Sequence, residues 1–163
     1  MTIEIERTTA LRRVELEALL REATGPDHRY LVRLVDDWER GSSRYDGDGE
    51  ALLLAREGGQ VVGTIGLIID AYAAAPLSGR LRRLYLLQRL RGRGLGRLMV
   101  NRVVALATGR FEQLLVRANR PGPASFFEHL GFRPATAEPE ATHVLVLPFA
   151  QVHRASRARG ERC

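Results

Sequence analysis

The run Leu84-Tyr85-Leu86-Leu87-Gln88-Arg89-Leu90-Arg91-Gly92-Arg93-Gly94-Leu95-Gly96-Arg97-Leu98-Met99 passes from an apolar strand pattern into a loop with glycine at three alternate positions. Apolar residues then return at helical spacing as Leu95, Leu98, Met99, Val103 and Leu106. The pattern predicts strand, glycine-rich loop, helix. Alternating glycines let backbone N–H groups turn into one concavity, and the helix N-terminus behind them adds partial positive charge, so the loop suits an anion such as phosphate.

Two well-known phosphate loops do not fit. In the dinucleotide fingerprint G-x-G-x-x-G the third glycine falls on Arg97 or Met99, according to which glycine starts the count. The P-loop ends in Gly-Lys-Ser/Thr, and the chain has no lysine. An arginine-glycine RNA-binding tract would be disordered, whereas this loop is flanked by a hydrophobic strand and an amphipathic helix.

The chain of 163 residues, 45% hydrophobic, fits one domain with a real core. No apolar run reaches the length of a membrane span, and the N-terminus, with Glu4, Glu6 and Arg7, lacks the layout of a signal peptide, so a cytoplasmic protein is expected. The lone Cys163 excludes an internal disulfide framework, and His28 and His129 lack partners at metal-ligand spacing, so no metal site is expected. A formal charge of +6 is compatible with nucleic acid, membrane surface or an anionic small ligand. All 25 basic residues are arginine, a compositional bias that weakens a nucleic-acid reading.

Along the chain, Ile3, Ile5 and Arg7 alternate with Glu4 and Glu6 as a first strand. A helix capped by Thr8 or Thr9 follows, with Leu11, Val14, Leu16, Leu19 and Leu20 on its apolar side, and it stops at Gly25-Pro26. Leu31, Leu34, Val35 and Trp38 mark a second helix ended by Gly41. Asp46 to Glu57 superficially matches a calcium loop, but Ala51 stands at the glycine position and Leu52 to Leu54 read as strand. Residues 51–56 and 60–69 form a hairpin around Glu57-Gly58-Gly59, and 70–79 is a connecting loop before a strand over 81–87. A buried strand over 111–118, a short helix over 124–130 capped by Gly131, and a last strand over 142–147 complete the pattern. Residues 150–163, with four arginines, are expected to be a solvated tail after a domain over 1–149.

Arg91-Gly92-Arg93-Gly94-Leu95-Gly96, with Arg91, Gly94 and Gly96 in register, resembles the [Q/R]-x-x-G-x-[G/A] pyrophosphate loop of the GNAT superfamily of N-acetyltransferases. Ser125-Phe126-Phe127-Glu128-His129-Leu130-Gly131-Phe132 resembles a second motif of that family, and the order of elements agrees over about residues 2 to 149. The resemblance implies a single α/β (mixed α+β) domain, its central mixed sheet mostly antiparallel with helices on both faces. It implies acetyl-CoA as cosubstrate, bound by Leu86, Leu87, Arg91, Gly92, Arg93, Gly94, Leu95, Gly96, Arg97, Asn119 and Phe127, with no metal. The acceptor would be a primary amine of a small molecule or peptide, with no membrane or nucleic-acid partner and with a homodimer allowed.

The implied chemistry is attack of a neutral amine on the thioester. The backbone N–H of Leu86 would polarise the carbonyl, and Tyr85 and Glu39 are candidates beside it, with Asp36 and Asp37 sharing the second helix. Many members of the family carry tyrosine where this chain has Phe127, which has no proton to give the leaving thiolate. His143 is an alternative base. A domain that binds acyl-CoA without turnover, as a sensor or docking module, is the competing reading.

Overall fold

The computed structural model describes residues 2–148; the expected basic tail lies outside the described residues. Four α-helices and a mixed sheet of seven strands, hydrogen-bonded in the order β1-β2-β3-β4-β5-β7-β6, make up one domain. The contacts of the described residues gather into two compact units, 2–68 with Leu81–Val103, and Ile69–Arg80 with 104–148.

In the first unit, β1 (Ile3–Arg7) pairs antiparallel with β2 (Ala51–Glu57), from Ile3↔Glu57 to Arg7↔Leu53. β2 in turn pairs antiparallel with β3 (Gln60–Ile69). Gly58 (φ 57°) and Gly59 (φ 81°) both take the left-handed conformation that a tight hairpin of this twist requires, which sets the β2–β3 register at Glu57↔Gln60. Residues 51–55 and 61–67 are continuously buried, as expected of central strands covered on both faces.

The first helix starts later than its pattern suggested. A 3-10 turn over Arg13–Leu16 leads into α1 (Glu17–Glu22), and Glu15 accepts the Arg12 N–H at 2.9 Å where a threonine cap was expected. Thr8 Oγ1 instead meets the Ala10 N–H at 3.4 Å, and Val14 is exposed. α2 (Arg29–Arg40) buries Leu31, Leu34, Val35 and Trp38 on one stripe and ends at Gly41 in the left-handed conformation, as its spacing predicts. β4 (Ser78–Leu86) begins three residues before the expected strand. α3 (Leu95–Ala107) follows the glycine loop, with Met99, Val100 and Val103 buried and Leu98 and Leu106 exposed.

In the second unit, Ser78, Gly79 and Arg80 pair parallel with β5 (Gln113–Val116), and this ladder accounts for the early start of β4. Glu138 supports it: its carboxylate accepts the Ala74 and Ala75 N–H groups at 2.7 and 3.0 Å and Gln113 Nε2 at 3.0 Å. These bonds hold its carboxyl below the ordinary value even though burial opposes them. α4 (Pro121–His129) opens on Pro121, three residues before the expected start, because proline is well suited to a first helical position. The two-residue β6 (Arg133–Pro134), too short to show a period, pairs with β7 (His143–Val146), which also pairs antiparallel with β5.

Candidate active site

The site is built on the last residues of β4. The Leu87 N–H donates to Val62 O at 3.0 Å, so this amide is committed to β3. Successive amides of a strand point to opposite edges, which turns the Leu86 N–H to the edge away from β3. The parallel ladder to β5 ends at Arg80↔Leu115. Of the two expected backbone donors, Leu86 is therefore the one whose N–H is not turned to β3. Gly63 makes room for this edge: a Cβ there would stand 2.5 Å from Leu86 Cδ2 and 3.2 Å from Tyr85 O.

The glycine loop is left-handed at two of its three glycines. Gly92 (φ 76°) and Gly94 (φ 85°) lie in the left-handed region, and a Cβ added to either would meet no atom within 4 Å. Gly94 O accepts the Leu98 N–H at 3.0 Å, making Gly94 the residue that opens α3. The first-turn N–H groups of Leu95, Gly96 and Arg97 have no acceptor within the helix. Arg91, Arg93 and Arg97 are exposed around the loop.

Arg91 also ties the loop to the strand. Its Nε donates to Leu86 O at 3.0 Å, and its guanidinium carbon lies 5.1 Å from the centre of the Tyr85 ring. Tyr85 is buried, and its hydroxyl donates to Glu22 Oε2 at 2.6 Å. The same carboxylate accepts the Gln88 N–H at 3.1 Å, and His28 packs edge-on against the Tyr85 ring with centroids 5.2 Å apart. Tyr30 donates to Leu84 O at 3.0 Å. Burial foremost, then Glu22, pushes the Tyr85 hydroxyl up to about 12, so it is a phenol across the physiological range.

Glu22 was not among the residues singled out from sequence. It stands at the end of α1, 63 positions from Tyr85, and no local pattern marks it. Both oxygens of Glu39 bind Arg13, at 3.1 and 3.0 Å, and Asp36 binds the same guanidinium at 2.7 Å. Asp37 faces Arg83 at 3.7 Å.

Two further expected residues belong to the second unit. Asn119 is exposed in the segment between β5 and α4. Phe127 is buried between Phe126 and Phe132, edge-to-face with both at centroid distances of 5.1 and 5.2 Å. His143, itself buried, binds the exposed Glu128 at 3.0 Å and Thr142 at 2.8 Å in that unit. Among the described residues there is no cluster of three or more His, Cys, Asp or Glu side chains suited to a metal, and no helix is long and apolar enough to cross a membrane.

The sequence profile of the acetyltransferase (GNAT) domain matches residues 48–134, more than half of the chain and all of the β4–loop–α3 region. The chain belongs to the GNAT acetyltransferase family. Solved structures agree in fold. A protein from Exiguobacterium sp. 255-15 assigned as an acetyltransferase is 22% identical with TM-score 0.77, the match covering 99% of this chain and 100% of that one. A GNAT-family acetyltransferase from Streptococcus pneumoniae is 17% identical with TM-score 0.67, covering 90% and 99%. A mutant of the AtaT toxin, bound to the C-terminus of the antitoxin AtaR and acetyl-CoA, is 19% identical with TM-score 0.67, covering 95% and 98%. No curated protein matches the sequence significantly.

Proposed function

We propose that this GNAT domain transfers an acetyl group from acetyl-CoA to a primary amine of a small molecule or peptide. The observation that carries the reading is the left-handed pair Gly92 and Gly94, open above both Cα atoms and leading directly into the first turn of α3. Backbone amides from 92 to 97 would hold the pyrophosphate, with Arg93 and Arg97 adding charge. The pantetheine arm would lie along the β4 edge beyond Arg80, its thioester carbonyl at the Leu86 N–H. Asn119 and Phe127 remain candidates for contacts to that arm.

An alkyl ammonium of pKa near 10 stands about three units above neutral pH, so releasing its proton costs roughly 4 kcal/mol unless a base takes it. Glu22 is that base and Tyr85 the carrier. The ammonium first gives one proton to Tyr85 Oη while Tyr85 passes its own proton to Glu22 Oε2, and the freed nitrogen lone pair then bonds to the thioester carbon; the second N–H proton leaves to water as the adduct collapses. Collapse of the tetrahedral adduct breaks the C–S bond, and the thiolate, with a pKa near 8.5, takes its proton from water. No acid at Phe127 is needed for this sequence. Glu39, paired to Arg13, is the lesser candidate.

Calorimetry with acetyl-CoA, followed by thiol release on a panel of amino acids, polyamines, aminoglycosides and peptides, tests the reading. Transfer to at least one amine is expected. Acetyl-CoA binding without thiol release from any of them would replace it with a non-catalytic acyl-CoA-binding domain.

A further inference from the structure

A second polar cluster lies two residues before Tyr85 on the same strand. Arg83 sits inside β4 with φ of 60°, a left-handed value that strand residues other than glycine rarely adopt. The kink is held from behind by Thr64, whose hydroxyl donates to Arg83 O at 2.7 Å. The Arg83 side chain is only 8% exposed, and among the described residues its Nε has no hydrogen-bond partner. What does face the guanidinium is Asp37 Oδ2, at a loose 3.7 Å, and the Tyr45 hydroxyl.

A buried guanidinium whose Nε has no acceptor carries a desolvation cost that the loose Asp37 contact and the Tyr45 hydroxyl offset only in part, which calls for a further acceptor. The surroundings are rigid. Tyr45 is itself left-handed (φ 54°), stacks on Trp38 with centroids 6.5 Å apart, and packs so closely on Gly66 that a Cβ there would be 2.5 Å from Tyr45 Cε1. Asp37 is 35% exposed, which opens the cluster to solvent on its carboxylate side. Arg83 reaches α2 as Tyr85 reaches α1 and His28, so the two side chains extend into one helical layer.

We propose that Arg83 is the receptor for a carboxylate on the acceptor, so that the amine acetylated at Tyr85 and Glu22 belongs to an amino acid or another amino-carboxylate. The inference rests on the transferase reading above. The Asp37 carboxylate, at a loose 3.7 Å, leaves the Arg83 guanidinium able to take a second carboxylate at closer range. A planar guanidinium fork also matches a carboxylate in geometry.

The test is equilibrium calorimetry on the coenzyme A-saturated protein with α-amino acids and with ω-amino carboxylates of increasing length, each against its carboxamide. At least one acid should bind tenfold or more tightly than its amide, and Arg83→Gln should abolish that preference. Should Arg83→Gln fail to fold, Asp37→Asn provides the second reading: relieved of its competitor, Arg83 should bind the acid severalfold more tightly while the amide is unchanged. Equal binding of acids and amides, binding of no acid, or a preference that survives Arg83→Gln or is unmoved by Asp37→Asn would overturn the proposal. Arg83-dependent binding of acids with no acetylation of any of them would remove the transferase reading and leave the receptor standing.

Discussion

Glu22 and Tyr85 carry the chemistry proposed here, and each can be changed with little loss of shape. Glu22→Gln keeps an acceptor near the Tyr85 hydroxyl but removes the base, so kcat is expected to fall by about 10²- to 10⁴-fold, with acetyl-CoA affinity by calorimetry little changed. An equal loss in affinity would mean that Glu22 only supports the loop through Gln88. The Tyr85 hydroxyl has its own signature in pH. Its folded pKa is raised, so the stability it contributes is complete below about pH 10, where a free tyrosine begins to ionise, and is lost as pH climbs through about 12. Burial raises Tyr45 as well, so absorbance titration of the four tyrosines should show more than one late phenol, one of which is lost in Tyr85→Phe. Phe127→Tyr would place a hydroxyl among Phe126 and Phe132 in a buried site, at a stability cost of about 1–3 kcal/mol. Since the thiolate leaves unaided, turnover should change less than tenfold; a gain of a hundredfold would show that acid catalysis limits the native chain.

The loop between β4 and α3 acts as one element because Arg91 spans it, bound to Leu86 O and lying over Tyr85. A Cβ at Gly94 meets no atom within 4 Å, but the residue must take φ of 85°, which costs about 1–2 kcal/mol for an L residue. Gly94→Glu should therefore fold, with a modestly lowered Tm, and yet lose acetyl-CoA binding, since its carboxylate would stand where the pyrophosphate is proposed. Calorimetric binding equal to that of the parent chain would exclude the loop as the phosphate site. Gly66→Ala tests the neighbouring strand in the opposite sense. There the obstacle is the Tyr45 ring at 2.5 Å, so the variant should lose about 1–3 kcal/mol in chemical denaturation.

For the molecule as a whole, ligand and fold are linked. Acetyl-CoA at one hundred times its Kd should add about 2.7 kcal/mol to the native state. For a chain of this size that corresponds to a Tm increase of roughly 5–10 °C by calorimetry or fluorescence. A Tm unmoved at saturating acetyl-CoA would count against the cofactor assignment as a whole.

The sequence by itself determined the strand, loop and helix from Leu84 to Met99, the hairpin turn at Gly58-Gly59, α2 with its Gly41 stop, and the fold family. Each depends on local rules of side-chain period, backbone freedom at glycine and helix ending, which are legible from neighbouring residues. Tertiary structure decided what those rules do not reach. The parallel ladder of Ser78 to Arg80 with Gln113 to Leu115 drew β4 back by three residues, and Glu15 displaced the threonines as the first helix cap. Glu39 went to Arg13, while Glu22 was brought from 63 residues away onto Tyr85. Arg83 became a kinked, buried cation with an unused donor. Acid–base pairs and buried charges form wherever the packed backbone brings side chains together, and that proximity has no period in the sequence.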